Sequence, residues 1–276
     1  MDLGGVAPPR RADLRKPATH TRYDAAMPAT CGARRADLAA IAGWRARYLA
    51  EMNTQVRYDA VHQRGWGDYY VVSLDGVDVG YGAIKGFDAP RDRDALFEIH
   101  LDPPARPHAV PLARAVIAAS GATRVECQTN DVTTCAVFRQ LAADLVVDAV
   151  LFADDHRTAL AVPGAIVRER RDTDEPFEHT AEPVGPVVVE FGGDVVATAG
   201  ALTHYNPPYA DLYMEVRPDM RRRGFGALVL QGVKAGCYAA GLVPAARTAA
   251  SNLASQRTLA RAGLRPCGFV LNGRVA

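Results

Sequence analysis

The sequence predicts a mixed α/β protein in which one unit of strands and helices occurs twice. Three observations lead there. Two strand–turn–strand segments, residues 68–86 and 186–204, pivot on Asp75-Gly76 and on Gly192-Gly193, and a short glycine loop between β-prone runs marks a hairpin. Each is followed by the same succession of strand, helix, strand, helix and strand. Between them lies PGAIVRERRDTDEPFEHTAEPVG, residues 163–185. It is charged, proline-marked and poor in periodic hydrophobicity, and so reads as a linker. The expected organisation is a loosely ordered lead-in over 1–30, a first unit over 31–162, the linker, and a second unit over 186–276. Each unit should be a twisted, mostly antiparallel sheet flanked by helices.

In the first unit, residues 33–52 place Leu38, Ile41, Ala42, Tyr48 and Leu49 on helical spacing, with Arg45 interrupting the stripe. The hairpin 68–86 comes next. ALFEIHLDP (95–103) is a strand with Glu98 and His100 on one face, and 109–121 is a helix that stops at Gly121. Residues 123–130 form a strand, 131–144 a helix and 145–155 a strand. In the second unit, the hairpin 186–204 precedes the strand ADLYMEVRP (210–218). The helix 224–241 carries Phe225, Leu228, Val229, Gly232, Val233 and Gly236 on one stripe. A strand over 243–250, a helix over 252–263 and a closing strand or hairpin over 264–275 complete it. The units match best at one corner: Val216, Pro218 and Arg221 fall opposite Leu101, Pro103 and Arg106, while Gly224 and Gly226 fall opposite Ala109 and Pro111.

Composition narrows the function classes. A hydrophobic content of 49% and a charged content of 23% suit an ordinary globular protein. A formal net charge of +1 supplies no global field toward nucleic acid or anionic membrane. No apolar run approaches the ~20 residues that span a bilayer, and the N-terminal residues lack the pattern of a signal peptide. The five cysteines, Cys31, Cys127, Cys135, Cys237 and Cys267, show no Cys-x-x-Cys spacing. That argues against a disulfide framework or a zinc site and fits a reducing cytoplasm. No metal is expected.

The corner EVRPDMRRRGFG (215–226) has chemistry of its own. A strand ends near Val216 and a helix starts near Gly224. The first amides of a helix lack intrahelical partners and sit at the positive end of its dipole, which makes a ready anion site. Glycine lets backbone approach a ligand with no β-carbon in the way. No Walker A loop, dinucleotide fingerprint or nucleophile elbow is present. Three arginines beside one aromatic, Phe225, fall short of a nucleic-acid stripe.

What remains, Arg221-x-x-Gly224-x-Gly226 between strand and helix, resembles the pyrophosphate loop of the GNAT acetyltransferase superfamily. SNLASQRTLARAGLRPCG (251–268) resembles that superfamily's asparagine segment, with Leu264 where phenylalanine is usual. The likeness covers residues 185–273, and the first unit resembles a degenerate copy, so the whole resembles a tandem GNAT protein. The resemblance implies acetyl-CoA as co-substrate. The amides of Arg222, Arg223, Gly224, Phe225, Gly226 and Ala227 would bind its pyrophosphate beside Arg221. Backbone of Met214, Glu215 and Val216 would hold the pantetheine, and Asn252 would contact the cofactor arm. Ala109 and Pro111 spoil the matching loop, since proline removes an amide, so one working site is expected.

The implied reaction is N-acetylation of a small-molecule amine by direct attack in a ternary complex. An amine with pKa near about 10.4 must lose a proton before attack. The usual base positions are occupied by Leu212 and Ala210, and the usual leaving-group tyrosine by Leu259. Candidates from elsewhere are His204, Tyr205 and Tyr209 on the hairpin leading into the strand, and Tyr213 and Glu215 on the strand itself. A non-catalytic acyl-CoA-binding sensor or interaction module is the alternative. The apolar faces that pack the units could equally pack subunits of a homodimer.

Overall fold

The computed structural model describes residues 29–55 and 59–276, so all but the last two residues of the expected lead-in lie outside it. In the first half, β1 (Cys31–Ala36), α1 (Leu38–Met52) and α2 (Asp59–Gln63) precede β2 (Gly67–Leu74), β3 (Val77–Lys85) and β4 (Ala95–Leu101). Then come α3 (Ala109–Ser120), β5 (Arg124–Gln128), α4 (Val132–Leu141) and β6 (Ala142–Asp154). The second half runs β7 (Ala165–Glu169), β8 (Val187–Phe191), β9 (Asp194–Leu202), β10 (Tyr209–Val216), α5 (Phe225–Ala239), β11 (Val243–Ala249), α6 (Leu253–Arg261) and β12 (Leu264–Val275). Helix starts follow local chemistry. Asp37, Asp131 and Asn252 each accept a hydrogen bond from the amide three residues on, the N-cap arrangement. α3 ends on Gly121 at φ 75°, where a β-carbon would be strained.

The two expected sheets are one. Among the described residues twelve strands form a continuous mixed sheet in the order β1-β2-β3-β4-β5-β12-β6-β11-β10-β9-β8-β7. Only β4–β5 and β10–β11 are parallel pairs. Exchanging the halves element for element, β1 with β7 through β6 with β12, maps this order onto itself. The join is reciprocal: β12 inserts between β5 and β6, and β6 inserts between β12 and β11. Each half therefore completes the other's sheet.

Three elements differ from expectation. Residues 31–36 form strand β1, so the first helix starts at Leu38. The expected linker contains β7, which pairs with β8 along its whole length. Helix α4 stops at Leu141, and residues 142–144 open the long strand β6. Both β1 and β7 are sheet edges, where charged side chains blunt unwanted pairing. Arg34 and Arg35 pair with Asp78 and Asp68, and Arg168 with Asp174 and Glu190.

Side chains alternate across β10. Ala210, Leu212, Met214 and Val216 join the core under α5, with Phe225, Leu228 and Val229. Asp211, Tyr213 and Glu215 face the opposite side. On that side of the first half, α1 and α2 cover a separate core of Ile41, Val61, Tyr69, Val71, Tyr81 and Phe97. The loop 203–208 reaches across to them. The Ala60 amide donates to the His204 carbonyl at 3.2 Å, Arg45 donates to Asn206 Oδ1 at 3.1 Å, and Tyr209 Oη donates to the Asn53 carbonyl at 2.8 Å. Among the described residues no helix is long and apolar enough to cross a membrane.

Candidate functional site

The β10–α5 corner is built from backbone. Strands β10 and β11 pair only over Tyr209–Asp211 and Val243–Ala245 and then diverge, leaving a wedge that opens toward the start of α5. A short 3-10 turn, Pro218–Met220, follows β10. Arg222 at φ 63° and Gly224 at φ 94° then turn the chain through left-handed conformations into the helix. Leu228 is the first amide to bond back, to the Gly224 carbonyl at 3.1 Å. From Arg222 to Ala227, no amide donates to an acceptor among the described residues. This is a cradle of backbone donors at the positive end of a fifteen-residue helix.

Glycine matters here for space. A β-carbon at Gly226 would lie 3.0 Å from Thr258 Cγ2 and 3.4 Å from both Met214 Sδ and Val216 Cγ2. Gly226 thus lets α5 sit close to β10 and α6. Arg221 Nε donates to the Val216 carbonyl at 3.2 Å. The Arg223 guanidinium stacks over Phe191 and Phe225. Among the described residues none of Arg221, Arg222 and Arg223 pairs with a carboxylate, so their charge is open to an anion. Asn252 Oδ1 accepts from the Ser255 amide at 3.0 Å, so that oxygen serves α6 as its cap. Leu259, at the expected tyrosine position, is buried in the core under α5.

The candidate acid–base residues separate. Glu215 is buried and fully occupied: its carboxylate accepts from the amides of Thr180, Ala181 and Glu182 and from the Thr180 hydroxyl, at 3.0–3.1 Å. Burial alone would raise its pKa; the amides and hydroxyl overcome that and hold it down to about 2. Glu215 therefore anchors the loop after β7, and its occupied, acidic carboxylate is a weak base. Tyr205 is buried, its ring edge-on to His204 at 5.0 Å, and it is not part of the cavity wall that His204 joins. His204 does line one, and its Nε2 lies 2.9 Å from Asp211 Oδ2.

That cavity, about 290 Å³, lies between the halves on the face opposite α5. Arg64, Trp66 and Phe87 of the first half and His204 and Arg247 of the second contribute to its walls. Arg247 Nε stands 3.6 Å from the same Asp211 oxygen that faces His204. Asp211 is the last β10 residue paired to β11, at the apex of the wedge. Sequence reasoning overlooked Asp211, although its place two residues before Tyr213 put it on the correct face. It had no means of finding Arg64, Trp66 and Phe87, because nothing local says that the halves share a cleft.

The sequence model described as "Acetyltransferase (GNAT) family" matches residues 153–264. Among curated protein sequences none matches. Solved structures share the fold over most of the chain. An acetyltransferase from the GNAT family of Colwellia psychrerythraea superposes with TM-score 0.67 at 13% identity, covering 88% of this chain and 99% of that one. A GCN5-related N-acetyltransferase from Sphaerobacter thermophilus gives 0.57 at 15% identity, covering 88% and 95%. A tandem GNAT protein from the clavulanic acid biosynthesis pathway gives 0.55 at 13% identity, covering 90% and 99%.

Proposed function

We propose that this chain, whose residues 153–264 match the GNAT acetyltransferase family and whose fold a GNAT-family structure shares, is an acetyl-CoA-dependent N-acyltransferase acting on the amine of a small molecule. The observation that carries the reading is the cradle of six amides from Arg222 to Ala227, unpartnered among the described residues and set at the open end of the β10–β11 wedge. A pyrophosphate fits such a cradle by charge and by donor number. The acyl arm would run along Met214–Val216 into the wedge, toward Asp211 at its apex. The cleft beside Asp211 then receives the amine from the opposite face. In this arrangement the halves are two tandem domains, the second holding the cofactor and the first walling the acceptor cleft.

His204 is the proposed general base. Asp211 sets its charge 2.9 Å from Nε2 without an aligned hydrogen bond, and that charge stabilises the imidazolium that forms when His204 takes a proton. The amine nitrogen attacks the thioester carbonyl, His204 takes a proton from that nitrogen, and the thiolate leaves. Backbone amides near Met214–Val216 stabilise the oxyanion. His204→Ala should lower kcat by about 100-fold or more while coenzyme A affinity by calorimetry stays within twofold. A matching loss of affinity, or unchanged kcat, rejects the assignment. The second reading, an acyl-CoA sensor without turnover, is favoured by Ala210, Leu212 and Leu259, all buried in the core where acid–base groups are usual. Coenzyme A binding with no thiol release across a broad amine panel would select it.

A further inference from the structure

The cleft between the halves has a charge pattern that narrows the acceptor. Its two guanidiniums, Arg64 and Arg247, lack full ion pairs. Arg64 lies over the Trp66 ring at 4.9 Å and has no carboxylate partner among the described residues. Arg247 shares Asp211 with His204, and its buried Nε makes no hydrogen bond among the described residues. The third cation of the lining, Lys85, pairs with Glu126 at 2.8 Å and is already matched. The one acidic side chain of the lining, Asp88, is exposed, as Arg64 is, so solvent screens both, while Arg247 is partly buried.

A simple alkylamine enters such a cleft as a cation beside two guanidiniums, with only exposed Asp88 and the Arg247-facing Asp211 to oppose them. An amine that also carries an anion is attracted instead. Guanidinium forks are well matched to carboxylate and phosphate oxygens. Once the anion is bound, the nearby positive charge also favours the neutral, nucleophilic form of the amine. The volume, about 290 Å³, lies at the small end of ligand cavities, and Trp66 and Phe87 offer an apolar wall.

Resting on the acyltransferase reading, we propose that the acceptor is a small amino acid-like molecule bearing a carboxylate or phosphate, held by Arg64 and Arg247 while His204 faces its amine. Matched probes test this by calorimetry on the full chain without requiring turnover. N-acetylglycine is compared with N-methylacetamide, and N-acetylphenylalanine with N-acetylphenethylamine; N-acetylated 2-aminoethyl phosphate tests the phosphate source. At least one anionic probe should bind at least tenfold more tightly than its neutral counterpart. Arg64→Gln and Arg247→Gln should each abolish that preference and leave coenzyme A affinity unchanged. Equal affinity for charged and neutral probes, or no binding of any anionic probe at millimolar concentration, overturns the proposal. Coenzyme A titrated separately tests the parent reading: anionic probes that bind a chain with no coenzyme A affinity would sink acyl transfer and leave the anion site standing.

Discussion

The β4–α3 and β10–α5 corners follow the same path and differ in what they leave available. After β4, the Asp102 amide bonds the Val79 carbonyl and the Ala105 amide bonds that of Asp102; after β10, Arg217 bonds Val196 and Met220 bonds Arg217. Arg106 Nε reaches the Leu101 carbonyl at 3.2 Å, as Arg221 Nε reaches Val216. Yet where Arg222–Ala227 present six amides free of any partner among the described residues, Pro107 and Pro111 have none and the Ala109 amide is spent on the Arg106 carbonyl. The Arg106 guanidinium is neutralised by Glu51 at 2.5 Å. The wedge beyond is filled as well. Tyr48 of α1 donates to Asp131 there, and only about 30 Å³ remains, room for a water or two. A shared backbone path is thus not a shared site; free amides and an open wedge make the difference.

The largest effect should come from copying the first corner into the second. Gly226→Pro removes an amide from the cradle, and its ring meets Thr258 and Met214 in a space that barely admits a β-carbon. Proline is tolerated in a first helical turn, so α5 should persist by circular dichroism. Coenzyme A affinity should fall more than 100-fold, about 3 kcal/mol. A loss below tenfold would break the comparison, because amides would not then be what separates the corners.

A smaller effect is expected one residue before each corner. Glu215 and His100 occupy matching positions on β10 and β4 and do opposite work. Glu215 draws in the loop 180–182, whereas His100, its pKa lowered chiefly by burial, packs edge-on against Tyr48 at 5.9 Å. Glu215→Gln should cost about 2 kcal/mol at pH 7, a Tm drop of about 5 °C. Glu215's pKa falls from 4.5 to about 2 on folding. Its contribution is therefore complete above about pH 5 and lost as pH falls toward 2, so the two proteins' Tm values should converge in acid. A gap that persists at pH 2.5 would show that packing, not ionisation, sets the effect.

Much of this was legible in the sequence, and the omissions have physical causes. The hairpins, β4, β10, α3 and α5 are long, periodic and bounded by glycine or proline. Both edge strands escaped notice, because β1 (CGARRA) and β7 (AIVRE) carry charge where an interior strand carries alternating apolar residues. The β6–β12 exchange is invisible to local patterning: Val146 and Leu271 read as strand residues whichever partner they take. The β10–α5 corner was readable because it is made of consecutive residues. The cleft was not, since Trp66, His204 and Arg247 are joined only by the fold.

The smallest expected change is the most exacting test of the comparison. Pro107→Arg, Ala109→Gly, Pro111→Gly and Glu51→Gln together restore the glycines, return two amides and free Arg106 from its partner. If the loop alone made the site, this variant would bind two coenzyme A molecules per chain. Tyr48 remains in the wedge, however, 6% exposed and bonded to Asp131. The restored cradle could offer its amides to a pyrophosphate, but the arm attached to it would have nowhere to go. Calorimetry should still give one coenzyme A per chain, with an affinity within twofold of the parent. A second site would show that the glycine loop suffices without an open wedge.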